Sequence, residues 1–312
     1  MMKTGHSLDY MKLLPGEAVA KVSRLEFLAR SVVEGFITGR HRSPHKGFSV
    51  EFAEHRQYAP GDNLRDLDWR VYGKSDRFYI KQYIEETNLR ATILVDASGS
   101  MAYTGDLAAE IDGRKPSKFE YAQLLAAALS YLLIMQQDAV GLVTFDTGMR
   151  RYIPARSRAG QLRQVLDELN QTKPGGETGL VPIFHNIADR IHRRGVVIIL
   201  SDLFDNAEGI MEALHHFRYR RHDVLVLHIM AEEELTFPFK GSTHFQSLEQ
   251  ADVKLQIDPQ SVRTEYLKRV GDFVSTIKGA CSQIKADYVP VTTKTPFHEA
   301  LSDCLSRRRK SR

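Results

Sequence analysis

The 312-residue sequence has two cysteines, one tryptophan and no apolar run long enough to cross a bilayer. Each scarcity excludes a class of protein. Cys281 and Cys304 belong to no Cys-x-x-Cys pair, so neither a disulfide framework nor a cysteine zinc site is expected, and the usage suits a reducing cytoplasm. The opening MMKTGHSLDYMK lacks the apolar core of a secretory signal. The most apolar stretch, Ala122 to Met135, is broken by Gln123, Ser130 and Tyr131 and predicts a buried helix rather than a span. No Gly-x-x-x-x-Gly-Lys-Ser/Thr loop is present, so nucleotide hydrolysis by this chain is not expected. Surplus charge is scarce too. The net charge is +4, and the last six residues (Arg307, Arg308, Arg309, Lys310, Ser311, Arg312) carry five positive charges, leaving a near-neutral body. A solvated basic tail without a reader motif or an aromatic stacking platform predicts no specific nucleic-acid binding.

What is present is alternation. An amphipathic helix is predicted from Gly16 to Ile37, followed by a basic loop from Gly39 to Gly47 and an irregular, aromatic- and charge-rich stretch from Phe48 to Asn88. Within that stretch, Pro60-Gly61-Asp62 marks a turn and Arg77 to Ile84 a strand. Ala91 to Val95 is a β-branched apolar run, the mark of a strand buried on both faces. Helices are predicted over Lys118–Gln136, Gln161–Leu169, Leu180–His192, Gly209–Tyr219, Gln260–Lys285 and Pro296–Leu305. Strands are predicted over Ala139–Phe145, Val196–Leu200, Val224–Met230 and Tyr288–Val291. Arg151 to Pro154 is expected to pair back on the preceding strand, and His244–Leu248 with Val253–Ile257 to form a hairpin. The fold class is therefore α/β, a doubly wound, mostly parallel sheet with an N-terminal helix and extended arm. Three segments are expected: helix and arm over 1–76, the sheet domain over 77–306, and the basic tail over 307–312.

In such sheets ligands lie beyond the carboxyl ends of the strands, where strand order reverses. Asp96-Ala97-Ser98-Gly99-Ser100 follows the first buried strand, and Ser201-Asp202-Leu203-Phe204-Asp205 follows another. Gly175-Gly176-Glu177-Thr178-Gly179 precedes a helix. The pattern resembles the metal-ion-dependent adhesion site of von Willebrand factor A domains. Carried over, Ser98 and Ser100 would ligate the ion directly, Asp96 and Asp202 directly or through water, and Thr178 through its hydroxyl. All these donors are oxygens, which suits Mg²⁺ or Mn²⁺. Two carboxylates roughly cancel the ion's charge while the hydroxyls add none, so the ion keeps an appetite for one more anionic oxygen from a partner. Thr144 and Thr147 compete for the threonine place, but the first lies within a strand and the second in a turn. Asp205 reads as a helix cap or loop carboxylate, and Asp96 with Ser98 has the alternative of a cap and turn.

Upstream, Gly47-Phe48-Ser49-Val50-Glu51-Phe52, Arg56-Gln57-Tyr58-Ala59-Pro60-Gly61-Asp62 and Arg65-Asp66-Leu67-Asp68-Trp69-Arg70 resemble the Domain of Unknown Function 58 family, which sets this segment before a von Willebrand factor A-like domain. The resemblance implies a bacterial protein associated with a MoxR-type AAA+ ATPase in protein maturation or stress response. The sequence departs from the family in two ways: it has no N-terminal membrane helices, and Gly179 stands where relatives often carry an acid. Trp69 is expected to anchor the arm to the core, and Arg56, Asp62, Arg65 and Asp68 to form a structural ion-pair and turn network. The functional expectation is a non-enzymatic, cytoplasmic protein-binding module. A phosphatase-like hydrolase is the alternative, but it would need a base beside its nucleophile, and His185 and His192 have no motif around them.

Overall fold

The computed structural model describes residues 52–57, 69–75, 78–83 and 89–310, apart from 112 and 251. The expected helix from Gly16 to Ile37, the basic loop, the Pro60-Gly61-Asp62 turn and most of the upstream signature lie outside these residues. The chain divides into two compact units, with residues 42–88 forming the smaller and the sheet domain beginning at Leu89.

In the smaller unit, β1 (Phe52–Gln57) pairs antiparallel with β2 (Tyr79–Tyr83), and α1 (Trp69–Ser75) lies between them in sequence. The expected strand at 77–84 is present, whereas β1 and α1 fall in sequence with no clear periodicity. Trp69 is 64% exposed and meets Tyr72 edge-on, and Tyr72 stacks on Phe78. Both ring contacts lie within the smaller unit.

The larger unit begins with β3 (Arg90–Asp96) and a 3-10 turn at Gly99–Ala102, followed by α2 (Lys118–Met135), β4 (Ala139–Phe145) and β5 (Met149–Arg156). Then come α3 (Gln161–Gln171), α4 (Leu180–Arg190), β6 (Val196–Ser201), α5 (Ala207–Tyr219), β7 (Asp223–Met230) and the short α6 (Glu232–Thr236). The hairpin β8 (Thr243–Gln246) and β9 (Lys254–Ile257) precedes α7 (Pro259–Gln283), β10 (Asp287–Thr292) and α8 (Phe297–Lys310). The main sheet has the order β10-β7-β6-β3-β4-β5, all parallel except the edge strand β5, which runs antiparallel to β4. The chain winds outward from β3 through β4 and β5, then returns to build β6, β7 and β10 on the other side. The reversal lies between β3 and β6.

Alternation along β3 splits the core into two layers. Ile93 and Val95 face the layer filled by α2 and α8, and Leu94 faces the layer filled by α4 and α5. Every residue of β4 and β6 is buried, because helices cover both faces. Boundary residues set the helix starts. Ser117 and Glu120 form a reciprocal capping box at α2, Asn206 caps α5, and Asp258 caps α7 ahead of Pro259. Cys281 and Cys304 are buried free thiols. No helix among the described residues is long and apolar enough to cross a membrane.

Candidate functional site

The reversal between β3 and β6 puts Asp96 and the Ser201-Asp202 pair side by side at the carboxyl edge. Asp96 is wholly buried. Its Oδ1 accepts the Ser98 N–H at 2.9 Å, and its Oδ2 accepts the Ser201 hydroxyl at 2.5 Å. The Ser98 and Ser100 hydroxyls lie 3.1 Å apart, and Ser100 helps to lower the Asp202 pKa. Asp202 is buried, with Oδ1 accepting the Phe204 N–H at 3.2 Å. Four of the five expected ligands, Asp96, Ser98, Ser100 and Asp202, thus form one connected group.

The third loop is stitched to the first by its backbone. Gly175 N–H donates to the Ala97 carbonyl at 2.9 Å, and Gly99 N–H donates to the Gly176 carbonyl at 2.8 Å. Arg150 secures the same loop through the Lys173 and Gly175 carbonyls while its guanidinium pairs with Asp146. Thr178 sits half-buried in this loop, but its hydroxyl donates to Glu249 of the β8–β9 connection. Thr144 is buried inside β4 and faces Glu168, away from the threonine role. Asp205 accepts the N–H of Leu180, the first residue of α4, as a cap would.

Lys118 is the residue that the sequence motif did not contain. It opens α2, is 1% exposed, and donates from Nζ to Asp202 Oδ2 at 2.7 Å and to Glu234 Oε1 at 2.6 Å. A lysine at a helix N-terminus opposes the helix dipole, and that was the signal available in the sequence. Burial alone would lower its pKa, but the two carboxylates outweigh burial and hold the ammonium above its ordinary value. Burial likewise pushes the Asp202 carboxyl up, yet the Lys118 charge and hydrogen bond, with help from Ser100 and the Phe204 N–H, bring it below the usual range. Among the described residues Asp96 has no such counter-ion. Burial, and then the neighbouring Asp202 charge, push it up to about 7 despite its hydrogen bonds from Ser201 and Ser98.

This imbalance tests the fit of a divalent cation. Buried Asp96 and Asp202 lie together, with the single Lys118 charge directed at Asp202 and Glu234, and every donor in the group is oxygen. A hard cation beside Asp96, Ser98 and Ser100 would supply the missing charge. Lys118 already engages one oxygen of Asp202, so Asp202 fits the lesser, charge-balancing part. Beside Ser100 opens a depression of about 590 Å³, walled by Tyr103, Phe204, Phe237, Phe245 and Tyr266.

The strand order, the antiparallel edge strand and the serine-rich loop after β3 define an α/β domain of the von Willebrand factor A-like class. Residues 54–273 match the family described as "Protein of unknown function DUF58", and the chain belongs to that family. A relative in Mycobacterium tuberculosis, "Uncharacterized protein Rv1480", is 25% identical over 268 residues, covering 83% of this chain and 81% of its own. Among solved structures, an aerotolerance-related membrane protein from Bacteroides fragilis is similar at 17% identity with a TM-score of 0.49, over 71% of this chain and 99% of that one. The VWA domain of SpRpn10 is similar at 12% identity with a TM-score of 0.39, over 70% and 95%.

Proposed function

We propose that this chain is a metal-dependent protein-binding module in which Asp96, Ser98, Ser100, Thr178 and Asp202 hold Mg²⁺ or Mn²⁺ and the ion takes a carboxylate from a partner protein. The observation that carries the reading is the buried Asp96 at the strand-order reversal, its carboxyl raised by burial and by Asp202, with two serine hydroxyls alongside. The ion supplies a Lewis-acidic point of attachment. Asp96 and the serines bind it, and Ser201 orients Asp96. Lys118 neutralises Asp202 so that the site as a whole stays receptive to an outside anion. The exposed ring of Phe204 and the depression beside Ser100 suit a segment presenting a bulky apolar side chain next to its acid.

A binding rather than catalytic role is supported by what surrounds the serines. Their hydroxyls engage each other. His185 is occupied by His216 at 3.0 Å, and His228 is held between Tyr288 and the Asp202 carbonyl. The family resemblance makes a MoxR-type AAA+ ATPase, or its client, the partner we favour, in protein maturation or stress response in the cytoplasm.

The test is thermal unfolding with and without Mg²⁺. Saturating Mg²⁺ at about 100 times its Kd is expected to add roughly 2.7 kcal/mol to the wild type. It should add nothing to a variant carrying Asp96→Ala and Ser98→Ala. Equal Mg²⁺ responses in the two proteins would remove the metal site. Release of phosphate from a generic ester, abolished by the same substitutions, would replace binding with hydrolysis.

A further inference from the structure

We infer that Glu249 is a tethered carboxylate occupying the place of the partner's acid, so that a partner must displace this chain's own side chain to reach the metal site. The inference rests on the carboxylate-capturing function proposed above. The Thr178 hydroxyl donates to Glu249 Oε1, although Glu249 is 71 residues further along the chain. Its backbone is seated on the serine loop. A Cβ added to Gly99 would lie 2.4 Å from the Leu248 carbonyl oxygen and 2.8 Å from that of Gly176, so all three loops meet around a residue that has to be glycine.

The connection is shaped to present this acid. Ser247 Oγ accepts the N–H groups of Glu249 at 3.3 Å and Gln250 at 3.0 Å, which tightens the turn. Gln250 Nε2 reaches Glu177 Oε1 at 3.2 Å, one residue from Thr178. At the hairpin's base, Phe245 stacks on Phe237 and meets Phe239 edge-on. β8 and β9 have four residues each, form a sheet of their own, and expose Leu248, Val253 and Leu255. A two-stranded hairpin of this kind opens at low cost.

A carboxylate on a short tether has an effective concentration in the millimolar range, enough to exclude weak free acids while yielding to a partner that makes further contacts. The hairpin also lines the depression beside Ser100, so such a partner would touch the element that it lifts. Glu249 therefore sets the affinity threshold of the site.

The experiment measures water-proton relaxation by Mn²⁺ bound to the full chain, followed by titration with acetate, for wild type, Glu249→Ala and Asp96→Asn. Glu249 lies in an irregular connection, so its removal leaves both cores intact. In Glu249→Ala, relaxation per bound Mn²⁺ is expected to rise by roughly a third to a half as one water joins the few already held. Acetate should then reverse the gain at a concentration several-fold below that affecting the wild type. If Mn²⁺ binds both proteins and is lost only with Asp96→Asn, yet relaxation and acetate response are equal with and without Glu249, the tethered acid is refuted and the metal site stands. If neither the wild type nor Glu249→Ala binds Mn²⁺, both readings fall together.

Discussion

At the scale of residues, the site is governed by how buried charges are balanced. Lys118 is the fulcrum, a buried ammonium serving two carboxylates that arrive from β6 and α6. Replacing it by methionine keeps the volume and removes the charge, leaving Asp202 and Glu234 facing each other unpaired. Removal of one partner from such a group costs about 3–5 kcal/mol. Lys118→Met is therefore expected to lower the denaturant midpoint strongly, and added Mg²⁺ to recover part of the loss. A wild-type midpoint, or a loss indifferent to Mg²⁺, would contradict this balance.

His228 and Asp96 pull the stability profile in opposite directions below neutral pH. His228 is 1% exposed, bonded to the Tyr288 hydroxyl and the Asp202 carbonyl, and burial drives its pKa from 6.5 down to about 4. The unfolded chain takes up the proton below pH 6.5 while the folded chain refuses it until about 4. The His228 contribution is thus intact above pH 6.5 and falls through that window by roughly 3 kcal/mol, while Asp96, raised to about 7, contributes stability that grows as pH falls through the same window. The difference in unfolding free energy between wild type and His228→Asn, followed in urea from pH 7 to 4, should carry the His228 slope alone.

At the scale of elements, the decisive pieces are loops at the carboxyl edge, and their positions are set by backbone contacts more than by side chains. Gly99 is the clearest case. Any side chain there must displace the Leu248 or Gly176 carbonyl. Gly99→Ala is expected to cost about 1–3 kcal/mol, the usual penalty of overpacking. The effect should be local, with faster proteolysis of the β8–β9 connection and little change in the hydrogen exchange of β3, β4 and β6. Uniform destabilisation would show that the hairpin is part of the main cooperative unit. The expectation of a hairpin between residues 244 and 257 agreed with the structure because alternation and turn residues are local signals. Its seat on the serine loop had no local signal at all, since Gly99 and Leu248 are far apart in the chain.

At the scale of the molecule, one sheet separates two apolar layers, and each layer holds one thiol. Cys304 belongs to the layer with α2, and Cys281 to the layer with α4 and α5. Burial pushes the Cys281 thiol up to about 12, so little thiolate forms at neutral pH. Both cysteines should resist a thiol reagent in the native protein and react together across the denaturant transition. Separate transitions would mean that the two faces of the sheet unfold independently.

The amino-acid sequence by itself determined the order of strands and helices in the larger unit, the burial of the central strands on both faces, and Asp96, Ser98, Ser100 and Asp202 as residues that meet. Period, capping residues and strand-end position are properties of neighbours in the chain, and they survive without coordinates. Only the tertiary structure decided that Lys118 takes one oxygen of Asp202 and that Glu249 takes the hydroxyl of Thr178. It also set the Trp69 ring edge-on to Tyr72. These are pairings across large sequence separations, where packing and the balance of buried charge choose the partner and no local pattern can.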